Sequence, residues 1–276
     1  MSVTWEAPGG WENLGWEPLA PGVGRLRLPV WDCTVGLVAG PEGALLVDAG
    51  SSVAEGTRIR QEAEELLNAG APSTEGAGGA RATRGAGAAG GAGTERRVTH
   101  VALTHPHFDH VLGACVFAGA ETFAAVGSGA LLTSGEGRDA LRADAVAEGL
   151  AADVAERAVE LLTAPRHEVH DDHVVDLGGG VRPVLANVGP GHTAHDLAVL
   201  VPGPRPVVFC GDLVEESGEP QAGPDAVASR WTAALTRLLE LGGEDALYVP
   251  GHGAVVDAAF VRRQREELSR RFGTAW

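Results

Sequence analysis

Val98-Thr-His-Val-Ala-Leu-Thr104, running directly into His105-Pro-His107-Phe-Asp109-His110, decides how the rest of the chain is read. The first half is β-branched and apolar, which predicts a buried strand. The second half packs three imidazoles and a carboxylate into six residues. All are good ligands for a divalent metal, and such crowding has little structural use unless something positive binds between them. In extended chain, positions 105, 107 and 109 point to one side and His110 to the other. For all four to reach one small volume the chain is expected to bend after Asp109, with Val111-Leu-Gly-Ala-Cys-Val-Phe117 supplying the first turns of a helix.

Outward from this cluster, four more polar residues each follow an apolar run. Gly43-Ala-Leu-Leu-Val47 leads to Asp48, Val184-Leu-Ala-Asn-Val188 to Gly-Pro-Gly-His192, Pro206-Val-Val-Phe-Cys-Gly211 to Asp212, and Ala246-Leu-Tyr-Val-Pro-Gly251 to His252. All five sites thus follow candidate strands. In layered α/β proteins ligands collect at the carboxyl ends of strands, so these loops can converge although they lie far apart in sequence.

The ordered set resembles the metallo-β-lactamase superfamily of metal-dependent hydrolases, over a stretch from about Leu19 to about Phe260. The motifs stand in the family's order: Val47-Asp48-Ala-Gly50, His105-x-His107-x-Asp109-His110, Gly191-His192-Thr193, Gly211-Asp212 and Gly251-His252-Gly253. The fold implied is α/β, an αβ/βα four-layer sandwich of two mixed β-sheets flanked by helices. The resemblance puts His105, His107 and His192 on a first metal, Asp109, His110 and His252 on a second, and Asp212 between the two. Asp48 matches the family's outer carboxylate, which orients ligands rather than binding metal. Asp48 and Asp109 are the candidate catalytic carboxylates. Cys210 lies two residues before Asp212 and does not occupy the cysteine-ligand position of some true β-lactamases, so the second site has no thiolate on this reading.

The implied cofactor is a pair of divalent ions, with zinc preferred and iron or manganese as alternatives. Two dications, two carboxylates and a bridging hydroxide leave the site about one charge positive if the five histidines are neutral, which favours an oxyanion. Hydrolysis of an ester-like or amide-like bond is the default reaction, with Asp109 able to orient the hydroxide and shuttle its proton. Two other readings stay open. His105, His192 and Asp212 could hold one iron in a two-His-one-carboxylate oxygenase, as in the superfamily's persulfide dioxygenases; alternatively, the chain could be a non-catalytic metal-binding protein.

Composition fits one catalytic domain spanning residues 1–276, with 44 % hydrophobic content. No stretch of 18 apolar residues exists, and the N-terminus lacks a basic start and an apolar segment, so a cytoplasmic protein with no membrane partner is expected. A net charge of −16, from 37 acidic and 21 basic side chains, opposes a polyanionic substrate, and no nucleic acid is expected. Every basic residue is Arg. The partner expected is therefore a small neutral or acidic ester, thioester or lactone. A standard glyoxalase II is disfavoured, because only residues 253 to 276 follow His252, enough for one helix.

Cys33, Cys115 and Cys210 imply no disulfide framework and are read as small buried residues. Residues 70 to 95 contain no Val, Ile, Leu, Met or aromatic residue and are read as a flexible Gly/Ala-rich insertion. Residues 138 to 163 should form one or two helices, where relatives often carry a cap over the site; core packing is the even alternative. His167, His170 and His173 suggest a polar hairpin rather than another metal site. His195 could touch substrate, but a structural hydrogen bond is favoured, as it is for His100 and Asp196. Trp5, Trp11 and Trp16 could line the pocket mouth or be buried against another subunit in a homo-oligomer; packing within the chain is the default.

Overall fold

The structure, a computed structural model, describes residues 7–69 and 95–274. Among these, β1 (Glu17–Ala20), β2 (Val23–Arg27), β3 (Thr34–Ala39), β4 (Ala44–Val47), β5 (His100–Ala102), β6 (Glu121–Ala125) and β7 (His167–Val169) form one sheet in chain order. A second sheet runs β12 (Leu247–His252), β11 (Val207–Glu215), β10 (Leu197–Val201), β9 (Val184–Asn187), β8 (Asp172–Val174). Both are mixed: the first turns parallel from β4 onward, and the second has one parallel pair, β11 with β12. The helices are α1 (Val53–Asn68), α2 (Phe108–Val111), α3 (Ser128–Thr133), α4 (Gly135–Ala147), α5 (Ala152–Leu161), α6 (Ala228–Gly242) and α7 (Ala258–Phe272).

The two-residue period of the strands sorts side chains into layers. In β3 and β4, Val35, Leu37 and Leu46 face a core shared with Ile59 of α1, Leu141 of α4 and Val159 of α5. Their neighbours Val38, Leu45 and Val47 face the opposite way, onto Leu185, Val199 and Phe209 of the second sheet. Ala186, Ala198 and Val208 then point outward under Trp231 of α6 and Val261 of α7. Helices, sheet, sheet, helices: this is the αβ/βα sandwich that the resemblance implied.

Several local expectations are corrected. β5 keeps only three residues of the strand predicted over 98–104, and the chain bends before Asp109, not after it. His107 is the N-cap of α2, so Asp109 and His110 fall in a helical turn. About 100° of rotation per residue then brings His110 round to face the pocket, which extended chain cannot do. The helix predicted from Val111 is instead a 3-10 turn at Ala114–Phe117. Asp212 lies within β11 rather than after a strand; at Gly211, with φ 54°, the register against β12 slips and the side chain that follows is re-aimed. The polar hairpin forms around the Gly-rich turn at Gly178–Gly180. β8, which carries His173, turns back onto β9, while His167 belongs to β7 in the other sheet.

Residues 138–163 form α4 and α5, whose Leu141, Ala145, Ala155, Ala158 and Val159 join the outer core. α4 packs on α2, and α5 on α1. Trp11 and Trp16 are buried within the chain. Trp5 and the Gly/Ala-rich stretch up to residue 94 lie outside the described residues. No described helix is long and apolar enough to cross a membrane.

Where α1 crosses the segment after α2, two glycines let backbones touch. A Cβ on Gly113 would stand 2.0 Å from the Ala49 carbonyl and 3.0 Å from Gly56 Cα. Gly113→Ala should therefore lower stability by about 1–3 kcal/mol. The urea midpoint measures this, and an unchanged midpoint would contradict the close approach.

Candidate metal centre

Seven side chains meet where the chain leaves β5, β9 and β12 and where β11 kinks. Asp212 is the hub. Its Oδ2 lies 3.7 Å from His105 Nε2, 3.5 Å from His192 Nε2 and 3.3 Å from His252 Nε2, and its Oδ1 lies 3.2 Å from His110 Nε2. Asp109 Oδ2 lies 3.3 Å from His252 Nε2 and 3.5 Å from His110 Nε2. His107 Nδ1 and His192 Nε2 are 2.9 Å apart. Thus His105, His107, His192 and Asp212 form one group that could hold an ion, His110, Asp212 and His252 a second, and Cys33, Asp109 and His110 a third that shares His110 with the second.

Each of the five imidazoles has its outward nitrogen on an oxygen. Gln221 O is 3.1 Å from His192 Nδ1 and Trp31 O is 2.6 Å from His252 Nδ1; carbonyls only accept, so these nitrogens donate. His110 Nδ1 meets Asp48 Oδ2 at 2.9 Å, and His107 Nε2 meets Asp225 Oδ2 at 2.9 Å. His105 Nδ1 is 3.0 Å from Thr104 Oγ1, whose own proton goes to Asp48 Oδ2. Five lone pairs can therefore face inward at once. Asp48 is placed by a left-handed turn at the end of β4, φ 62°, and also accepts from the Thr104 backbone N–H at 2.7 Å.

The donor set fits divalent cations. His105 Nε2 is buried with no hydrogen-bond partner in the described structure, and buried Asp212 Oδ1 has only the His110 ring nitrogen, 3.2 Å away and poorly aligned, beside it, an arrangement that calls for an ion. Two ligand atoms on one tetrahedral zinc lie about 3.3 Å apart, and the inward pairs run from 2.9 to 3.7 Å. Electrostatics agrees. Burial holds His105 well below its ordinary range and His192 at about 4, so both stay neutral. Burial opposes charge on Asp212, yet His110, His252 and His105 hold its carboxyl well below the usual range. At His252 burial is outweighed by Asp212 and Asp109, which lift it to about 12. His110 also rises well above its usual range: burial opposes this, but Cys33 and the three carboxylates around it prevail. Protons on His110 and His252 thus occupy the place of a cation, and an ion binding there would displace them.

Sequence reasoning missed Asp225, Gln221, Trp31 and Thr104 as orienting groups, and placed Asp48 among them. Cys33 is buried, as expected, but it packs against the centre: its sulfur sits 3.6 and 3.7 Å from the two ring nitrogens of His110 and 3.3 Å from Asp109 O. Burial pushes this thiol up to about 12. His195 Nδ1 donates to Val126 O at 2.7 Å, the structural role that was favoured. Asp196 is buried, which pushes its carboxyl up to about 7, and it accepts from Thr193 N and Oγ1, bracing the loop that presents His192.

Known proteins place this centre in a family. One curated relative, the hydroxyacylglutathione hydrolase of Nitrosococcus oceani, is 28% identical over 156 residues, 56% of this chain; the chain spans about half, 49%, of that enzyme's length. Among solved structures, the metallo-β-lactamase FIM-1 from Pseudomonas aeruginosa in its mono-zinc form superposes with a TM-score of 0.60 at 19% identity, covering 93% of this chain and 95% of that one. A metallo-β-lactamase from Hirschia baltica gives 0.58 at 16% identity, over 92% and 96%. These likenesses show the fold. The family model described as the metallo-beta-lactamase superfamily matches residues 28–252, and the chain, with its histidines and aspartates gathered at strand ends and at the kink in β11, belongs to that superfamily.

Proposed function

We propose that this chain is a metal-dependent hydrolase of a small ester, thioester or lactone, working with two divalent ions, preferably zinc, within one domain of the superfamily fold. The observation that carries this reading is the inward convergence of five histidine ring nitrogens about the Asp109 and Asp212 carboxylates, each imidazole fixed from outside by an oxygen acceptor. His105, His107 and His192 would hold the first ion, Asp109, His110 and His252 the second, with Asp212 shared. Such a pair makes hydroxide available near neutral pH and polarises the group attacked. Asp109 would orient the water and take its proton at a carboxylate oxygen, while Asp48 fixes the tautomer of His110. The relative from Nitrosococcus oceani, a hydroxyacylglutathione hydrolase by its name, supports the hydrolytic class.

Elemental mass spectrometry on protein purified without chelator tests the cofactor, and a panel of esters, thioesters and lactones tests the substrate. About two zinc ions per chain with turnover of at least one panel member is the expected result. A single tightly held iron, with oxygen consumed in the presence of thiols or persulfides, would replace this reading by the oxygenase one, for which His105, His192 and Asp212 are already together.

A further inference from the structure

The two ion positions differ in what holds their ligands from behind. At the second, His110 rests on Asp48, and these side chains are 0 % and 2 % exposed. His252 rests on the carbonyl of Trp31, whose ring meets Phe108 edge-on at 5.2 Å, and the adjoining Cys33 forms a β-bridge with His252 itself. At the first, only His105 is braced from the interior, through Thr104. His107 and His192 both lean on one surface loop, residues 216–227, between β11 and α6. Its Asp225 is 48 % exposed where it meets His107, and its Gln221, also exposed, offers a backbone carbonyl to His192. Ser217-Gly-Glu-Pro-Gln-Ala-Gly-Pro-Asp225 is exposed throughout except at Pro220. The ties of this loop to other elements lie toward its ends: Glu216 N donates to His252 O at 3.2 Å and Ala254 N to Glu216 Oε2 at 2.7 Å, while Arg271 donates to Pro220 O and Val227 N to Gly191 O, both at 2.9 Å.

We infer that loop 216–227 makes the first ion the exchangeable one: the ions load at the second position before the first and leave in the reverse order. This rests on the two-ion reading above. An outer partner orients a ligating imidazole and typically changes metal affinity 10- to 100-fold. An exposed ion pair such as Asp225 with His107 is screened by water and salt. A segment with few buried contacts also opens locally at low cost. Opening this loop beyond Glu216, which stays paired to the His252 backbone, removes the side-chain brace from two of the three histidines of the first position, whereas the His110 and His252 rings keep theirs on Asp48 and Trp31. Asp225 is thus a positioning residue for the first ion.

Native mass spectrometry of the zinc-loaded protein during chelator titration tests the order. The expected course passes through an accumulating one-zinc form, and anomalous diffraction from that form places the ion by His110, Asp212 and His252. In Asp225→Ala, the first loss should move to roughly 10- to 100-fold lower chelator concentration, with the second loss unmoved and the thermal midpoint of the ion-free protein unchanged. A residual ion beside His107 and His192, simultaneous loss of both, or an equal shift of both steps in Asp225→Ala would each overturn the inference. Failure to load any zinc would overturn the two-ion reading itself and the inference with it.

Discussion

Asp212→Ala is expected to remain folded, to hold at most one zinc per chain and to lose turnover by on the order of 10³-fold or more. Both carboxylate oxygens face imidazole nitrogens, Oδ2 toward His105, His192 and His252 and Oδ1 toward His110. Without this carboxylate, nothing negative is shared between the two histidine groups, and polarisation by two ions, worth several kcal/mol in the transition state, is lost. The fold should tolerate the change because the carboxylate makes no backbone hydrogen bond in the described structure, and Ala removes a costly buried charge. Its protons provide a second readout. His252, at about 12, and His110, well above its usual range, hold protons at neutral pH in the ion-free protein. Zinc must displace them, so affinity should weaken as pH falls, with protons released on binding. Removing Asp212 takes away the largest raising cause at His252 and a contributing one at His110, so fewer protons should be released. Elemental analysis and calorimetry in buffers of different ionisation heat measure these quantities. Two zinc ions retained with normal proton release would sink the bridging role.

Asp48→Asn should be the most damaging change outside the ligand set itself. Oδ1 accepts from Thr104 N at 2.7 Å, while Oδ2 accepts from both Thr104 Oγ1 at 2.8 Å and His110 Nδ1 at 2.9 Å. An amide has one acceptor and one donor. With its oxygen on Thr104 N, its NH₂ faces His110 Nδ1 and forces that nitrogen to accept, which puts the ring proton on Nε2, where the ion should bind. With the amide flipped, the buried Thr104 N–H loses its acceptor, at about 1–3 kcal/mol. Either way, affinity at the second position should fall 10- to 100-fold, and turnover with it, while the first position is reached only indirectly, through the Thr104 hydroxyl that links Asp48 to His105. The left-handed φ of residue 48 makes Asn a better test than Ala, since Asn tolerates that conformation. Stepwise zinc titration and a urea melt separate affinity from stability; unaltered affinity at both positions would show that Asp48 does not set the tautomer.

The sequence by itself determined the residue types of the centre and the layering of the fold. A metal needs particular donor atoms, so His105, His107, Asp109 and His110 stand out within six residues, and His192, Asp212 and His252 stand out because each ends or interrupts an apolar run. The strands' two-residue alternation likewise records which core each side chain must reach. Tertiary structure decided how these parts are aimed. Whether the chain bends at His107 or after Asp109 depends on α2 docking against α4, which periodicity over a few residues cannot resolve. The outer braces were equally hidden. Gln221 and Trp31 act through backbone carbonyls that every residue possesses, and Asp225 meets His107 across 118 residues of chain. Their roles come from where the backbone passes, and only the packed sheets and the loop after β11 fix that position.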